Sequence, residues 1–310
     1  MRTLIFFSTH KINEAILSEY KKWQNIEGYD VILNLDNTNQ KFSSDTDNPI
    51  QYLEFYGKKY KCFLFDENVH KSLNLPNYVC YKDKSFSGVQ WSNGDYRFYY
   101  VRKYFPNYDY YWQTEYDIFC NGQSYKPFLD SFIENKSDLI IQEKFPHSHE
   151  PIEEWFWYDK TDWVYKDLIK YRSFFPIVRL SAAAIDFLFK RRMEHGELYS
   201  KIEDKTLNRW IHCELFTPTE LINNGFSCHY INEYLFINPE IDLNANRLFE
   251  HPDNRLYHPV KGSYVERLDN LKAEIKEYKR ENKKLKQLVK ELSYYKINIL
   301  GIKINIKRKF

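Results

Sequence analysis

The sequence lacks three short signatures that would each identify a common nucleotide or catalytic site from local spacing. There is no G-x-x-x-x-G-K-[ST], no G-x-S-x-G and no G-x-G-x-x-G. A P-loop nucleotide site, an α/β-hydrolase nucleophile and a dinucleotide-binding turn are therefore not indicated. The five cysteines, at positions 62, 80, 120, 213 and 228, include no C-x-x-C pair. An odd, unpaired set fits reduced thiols in the cytoplasm, with Cys120, Cys213 and Cys228 as small buried apolar residues. The N-terminal apolar run is only Leu4 to Phe7, too short for a signal peptide, and nothing approaches the roughly 20 apolar residues of a membrane span. A formal net charge of +2 gives no whole-protein basic field, so no nucleic-acid partner is expected.

What is present is a folding composition. The 310 residues are 43% hydrophobic and 28% charged, enough for one large or two ordinary domains with a sizeable core. The first half alternates short β-like runs with helical ones. TLIFFSTH reads as a strand, KINEAILSEYKKWQ as an amphipathic helix, and YDVILNLDN and KYKCFLFDEN as strands that finish in polar residues. This is the pattern of an open α/β sheet, whose strand carboxyl ends form the ligand rim. Ser8, Thr9, Asp36, Asn37 and Asp66 fall on that rim. GDYRFYYVRKYFP predicts a helix from about Asp95 to Pro106, YDYYWQTEYDIF a strand and SDLIIQE another, while AAAIDFLFKRRMEHG predicts a helix closed by Gly196.

Glu115 and Asp117 end the segment YDYYWQTEYD. On an extended strand, residues two apart share a face, so both acids would look the same way. Like charges that close oppose each other's ionisation unless a cation lies between them. A hard divalent ion takes one or two carboxylates and leaves room for phosphate oxygens. His147-x-His149 with Glu150 is a weaker zinc candidate, because no third ligand has diagnostic spacing and Pro146 and Pro151 mark a loop.

The run from Trp91, WSNGDYRFYYVRKYFPNYDYYWQTEYDIFCNG, resembles the central block of GT-A-type glycosyltransferases. Its W-x-x-E-x-D followed by Gly122, and the later PIVRLSAAAIDFL, ELFTPTELINNGF and LYHPVK, are similar to the order of blocks in that superfamily. The resemblance spans residues 1–262 and implies a Rossmann-like mixed sheet flanked by helices, acting on a nucleotide sugar and a glycan acceptor of bacterial surface-polysaccharide type. It further implies that Asp117, with Glu115 in place of the usual first Asp, holds Mn²⁺ or Mg²⁺. His258 would be a further ligand, and imidazole suits Mn²⁺ better than Mg²⁺. Ser8, Thr9, Asp36, Asn93 and Asp95 would meet the nucleoside. Glu214 matches the catalytic base in chain order, and an inverting transferase needs such a carboxylate. Glu153, Glu154, Trp155 and Trp157, with Asp159, Asp162 and Trp163 nearby, combine acids and aromatic faces suited to an acceptor sugar, and the acids among them are the alternative source of the base. Whether the anomeric centre inverts stays open, as do a non-catalytic glycan-binding protein and a nucleotidyltransferase.

The rest of the chain differs. Leu268, Ile275, Asn282 and Val289 share one heptad position, and Leu271, Tyr278, Leu285 and Leu292 the other. A coiled coil over 263–293, pairing two copies through 268–292, is expected, with the lone Asn setting a parallel two-stranded register. Residues 294–310 hold five positive charges and no acid, with Ile and Leu between them. This basic amphipathic tail suits an anionic membrane surface more than nucleic acid. The expected location is thus cytoplasmic, peripheral on the inner face of the membrane.

Overall fold

The computed structural model describes residues 2–39, 41–142, 156–232, 235–237, 253–260, 278–287, 294–299 and 302–307. The chain divides into two compact units, Met1–Val260 and Lys261–Phe310.

In the first unit, β1 (Thr3–Thr9), α1 (Glu14–Trp23) and β2 (Tyr29–Asp36) form a parallel β-α-β start. Asn13 caps α1 by accepting from the Ile16 N–H. β3 (Ile50–Phe55) and β4 (Lys58–Phe65) are an antiparallel hairpin. Its two-residue turn, Tyr56 and Gly57, has positive φ at both positions, the backbone that matches strand twist. Next come α2 (Glu67–Lys71), α3 (Phe86–Ser92), α4 (Tyr96–Tyr104), β5 (Tyr110–Glu115), β6 (Phe119–Cys120), α5 (Lys126–Asp130) and β7 (Leu139–Gln142). After them follow α6 (Asp162–Tyr165), β8 (Phe174–Ser181), α7 (Ala182–Ser200), α8 (Cys213–Asn223), β9 (Cys228–Tyr230), β10 (Phe236–Ile237) and β11 (Leu256–Tyr257).

Eight strands join in one mixed sheet, in the order β3-β4-β2-β1-β5-β8-β7-β9. The expected fold class, a mixed α/β sheet flanked by helices, is what the structure has. Alternation sorts the strand residues onto two cores. Leu4, Phe6, Phe63, Tyr111, Val178 and Leu180 pack with α4, α7 and α8. Ile5, Phe7, Leu64, Trp112 and Ile177 pack with α1 and α5 on the other face.

Two expectations change here. Gly196 does not end α7, which runs on to Ser200. A Cβ at Gly196 would lie 2.4 Å from Pro76 Cγ, so the glycine serves a close approach within the first unit. Gly196→Ala should cost about 1–3 kcal/mol, read from the midpoint of urea unfolding. An unchanged midpoint would mean that Pro76 moves aside freely. The cysteine reading holds for Cys120 and Cys213, whereas Cys228 is only half-buried.

In the second unit the described part of the heptad segment is a helix over 278–287, with Tyr278 and Leu285 exposed. Leu268, Leu271, Ile275, Val289 and Leu292 lie outside the described residues. Within 294–310 the chain forms an antiparallel hairpin, β12 (Tyr294–Ile299) and β13 (Ile302–Lys307).

Candidate functional site

The sheet's connectivity points to one crevice. From β1 the chain moves to one side for β2 and β4, then returns to the other side for β5, and all of these neighbours are parallel. The carboxyl ends of β1 and β5 therefore flank a topological switch point, where open α/β sheets hold their ligands. The register sets Ser8 beside Glu115 there. β8 runs antiparallel to β5, so its first residues reach the same end.

Glu115 and Asp117 do meet, though not by strand alternation. β5 ends at Glu115, and the Ile118 N–H donates to the Glu115 carbonyl at 3.2 Å, closing a turn. His258 arrives from far along the chain. β11 pairs with β6, matching Leu256 to Cys120 and Tyr257 to Phe119. The Val260 N–H then donates to the Asp117 carbonyl at 2.8 Å, which brings His258 beside the turn. The glycine at 122 suits this approach, since a Cβ there would fall 2.3 Å from Asn254 Oδ1.

The result is a cluster in which one ligand atom each from Glu115, Asp117 and His258 lies within 4.8 Å of the others. Asp117 Oδ1 and His258 Nε2 are 3.5 Å apart, too long for a good hydrogen bond. Asp117 Oδ1 and His258 Nδ1 are shielded from solvent with no hydrogen-bond partner among the described residues, a costly state for polar atoms that nothing else satisfies. Phe174 packs on the His258 ring at 5.1 Å. Burial raises the Glu115 pKa; Arg97 opposes this, the Asp117 charge adds to it and His258 opposes it. Two carboxylates and an imidazole are a fitting donor set for Mn²⁺, and oxygen donors alone would suit Mg²⁺.

A cavity of about 380 Å³ is lined by His10, Leu35, Asp36, Phe42, Phe55 and Tyr56 among others. The His10 ring meets Tyr116 edge-on at 4.9 Å, which links the cavity to the Glu115–Asp117 turn. Burial and Lys11 lower the His10 pKa, against the opposing charges of Asp36 and Asp117. Asp36 accepts from the backbone and hydroxyl of Thr38. Ser8 Oγ accepts from Asn34 Nδ2 at 2.9 Å, and Thr9 Oγ1 donates to the Lys11 carbonyl at 2.5 Å. Asn37 and Asp66 brace their own loops, through Phe42 and through the first turn of α2.

Asn93 and Asp95 are not brought to this rim. Both are 0% exposed. Asp95 pairs with Arg192 through two contacts of 2.8 Å and accepts from the Tyr99 hydroxyl at 2.7 Å. Asn93 donates to the Tyr78 and Val89 carbonyls and accepts from Trp210 Nε1. Their polarity is consumed in anchoring α3, α4 and α7.

Glu214 sits in the first turn of α8. Its carbonyl accepts from the Ser173 N–H and hydroxyl, and Ser173 precedes the Phe174 that covers His258. Glu214 Oε2 lies 3.7 Å from His212 Nδ1. Trp157 stacks on His212 at 4.2 Å and meets the exposed Trp91 at 5.2 Å. Asp159 and Asp162 pair with Arg209 and Lys170, and Trp163 packs among Tyr199 and Trp210. Glu153, Glu154, Trp155 and the His147, His149, Glu150 group lie outside the described residues.

Arg97 is the residue that spacing alone missed. It stands in the first turn of α4 and its Nη1 donates to Glu115 Oε1 at 3.1 Å. The available signal was one cation at a helix start, in the block that carries the E-x-D. His212 was also missed, as the cap of α8 that supports the aromatic group.

No family model matches this sequence, and no curated protein matches it. A search of solved structures finds the crystal structure of a glycosyltransferase involved in the glycosylation of the major capsid of PBCV-1. It aligns with a TM-score of 0.42 at 9% identity, over 84% of this chain and 95% of that one.

Proposed function

We propose that this chain is a metal-dependent glycosyltransferase, moving a sugar from a nucleotide-diphosphate donor to a glycan acceptor in surface-polysaccharide synthesis. The observation that carries the reading is the Glu115, Asp117 and His258 cluster at the switch point, with its unsatisfied inward atoms, beside a cavity bordered by Asp36 and His10. Asp117, Glu115 and His258 would hold the divalent cation, whose charge, when bound, stabilises the departing diphosphate. The cavity takes the nucleoside, with Asp36 as acceptor for its hydroxyls and Phe42 or Tyr56 beside its base. Ser8 and Thr9 shape the floor of that rim. Glu214 takes the proton from the attacking hydroxyl, and Trp157 with Trp91 offers aromatic faces to the acceptor ring.

The test is release of nucleoside diphosphate from a panel of nucleotide sugars, in Mn²⁺, Mg²⁺ or chelator. Metal-dependent release from one donor is expected. Silence across the panel, with no donor-induced thermal shift, would favour a non-catalytic glycan-binding protein, and consumption of a nucleoside triphosphate would indicate a nucleotidyltransferase.

Residues 268–292 are proposed to pair two copies, supported by the exposed Tyr278 and Leu285 on the described helix. Removing 263–310 should give a monomer in light scattering, and a dimer that survives would place its interface in the first unit. Residues 294–310 are proposed to hold the enzyme on an anionic membrane surface, where a lipid-linked acceptor would be found. The hairpin register supports this: it pairs Tyr295 with Ile306, Ile297 with Ile304 and Ile299 with Ile302, and Lys296, Lys303 and Lys307 are interleaved with these residues in sequence. A two-stranded hairpin is marginal in water alone, and each Lys near an anionic bilayer contributes on the order of 1 kcal/mol. Full-length protein should sediment with anionic but not neutral vesicles, and equal sedimentation of a chain ending at Gly262 would refute it.

A further inference from the structure

We propose that Arg97 competes with the metal for Glu115, so that the Arg97–Glu115 pair is a resting latch that loading must open. The inference rests on the metal reading above and concerns how that site is regulated.

Three observations carry it. The guanidinium makes its contact with Glu115 through Nη1 alone, at 3.1 Å. Its Nε is shielded from solvent and has no hydrogen-bond partner among the described residues, so the planar fork is incompletely used. The pair is neither free in water nor sealed, since the Arg97 side chain is 18% and the Glu115 side chain 34% exposed. Such a contact can be remade without unfolding the site.

Without a cation, two carboxylates share the turn, and Arg97 supplies compensating charge to Glu115. A divalent cation taken up by Glu115 and Asp117 would replace that charge. It would also lie close to the guanidinium, and the two positive charges repel. Loading therefore favours a rotamer in which Arg97 leaves Glu115. α4 does not move with it, because Asp95, at the start of this helix, is bonded to Arg192 in the core. The latch is thus a side-chain event on a fixed helix. The released fork, with five donors, suits a phosphate oxygen of the donor.

The test uses full-length protein and Mn²⁺ alone, with affinity read by titration calorimetry or by the loss of the free-ion EPR signal. Arg97→Gln should bind Mn²⁺ about tenfold more tightly than wild type, the scale of an ion pair between the exposed and buried limits. Arg97→Lys keeps the charge and should stay near wild type, with near-UV circular dichroism confirming that both variants fold. Equal or weaker binding by Arg97→Gln, while Asp117→Asn abolishes binding, overturns the latch and leaves the metal site standing. No binding by wild type or Arg97→Gln, both folded, overturns the metal reading and the latch together.

Discussion

Asp117→Asn should reduce metal-dependent release of nucleoside diphosphate by on the order of 10²-fold or more, the scale of losing one group that stabilises developing charge. The substitution keeps size and shape, removes the charge and turns one acceptor oxygen into an NH2 donor. It should do so without harming the fold. Asp117 Oδ1 has no hydrogen bond among the described residues to lose, and its charge opposes that of Glu115. Relief of like-charge repulsion makes the metal-free variant as stable as wild type or slightly more so. The expected signature is therefore a split, with turnover lost and the melting temperature in chelator held or raised. Retained turnover would remove Asp117 from the reaction, and a large drop in melting temperature would make it a structural acid.

Asp95→Asn should have the opposite signature. Asp95 and Arg192 are both 0% exposed and bonded in a bidentate pair. Arg192 also donates to the Ile211 carbonyl and lies 3.7 Å from the Phe216 ring centroid. Neutralising one partner leaves a buried guanidinium uncompensated, which costs about 3–5 kcal/mol. Asp95→Leu combined with Arg192→Met should recover part of that loss, because an apolar pair carries no desolvation penalty. Urea unfolding measures both. If Asp95→Asn kept wild-type stability and lost donor affinity, the nucleoside role implied by the sequence resemblance would be restored.

These two acids, 117 and 95, show how the sequence reads at different depths. Short apolar runs such as TLIFFST and YDVILNLD declared their strands, because an inner strand covered on both faces reads as a nearly continuous hydrophobic run. β3 carries no such local mark, and its place comes from the Tyr56–Gly57 turn and its pairing with β4. Gly196 looked like a helix end because local sequence cannot show Pro76 lying against it. Asp95 looked available because its partner, Arg192, belongs to α7. Nothing local marks Arg97, since its contact with Glu115 joins α4 to the end of β5.

The sequence by itself determined the α/β alternation, the acidic ending of β5 and the presence of a histidine near the close of the first unit, since each is a matter of residue type and local period. Only the tertiary structure decided which polar residues gather at the carboxyl end of the sheet and which are spent inside. The β6–β11 ladder carries His258 to Asp117, and the buried pair with Arg192 withdraws Asp95 from the rim. The physical reason is that a charge's role depends on its solvation and on its nearest opposite charge, and both are set by chain segments distant in sequence.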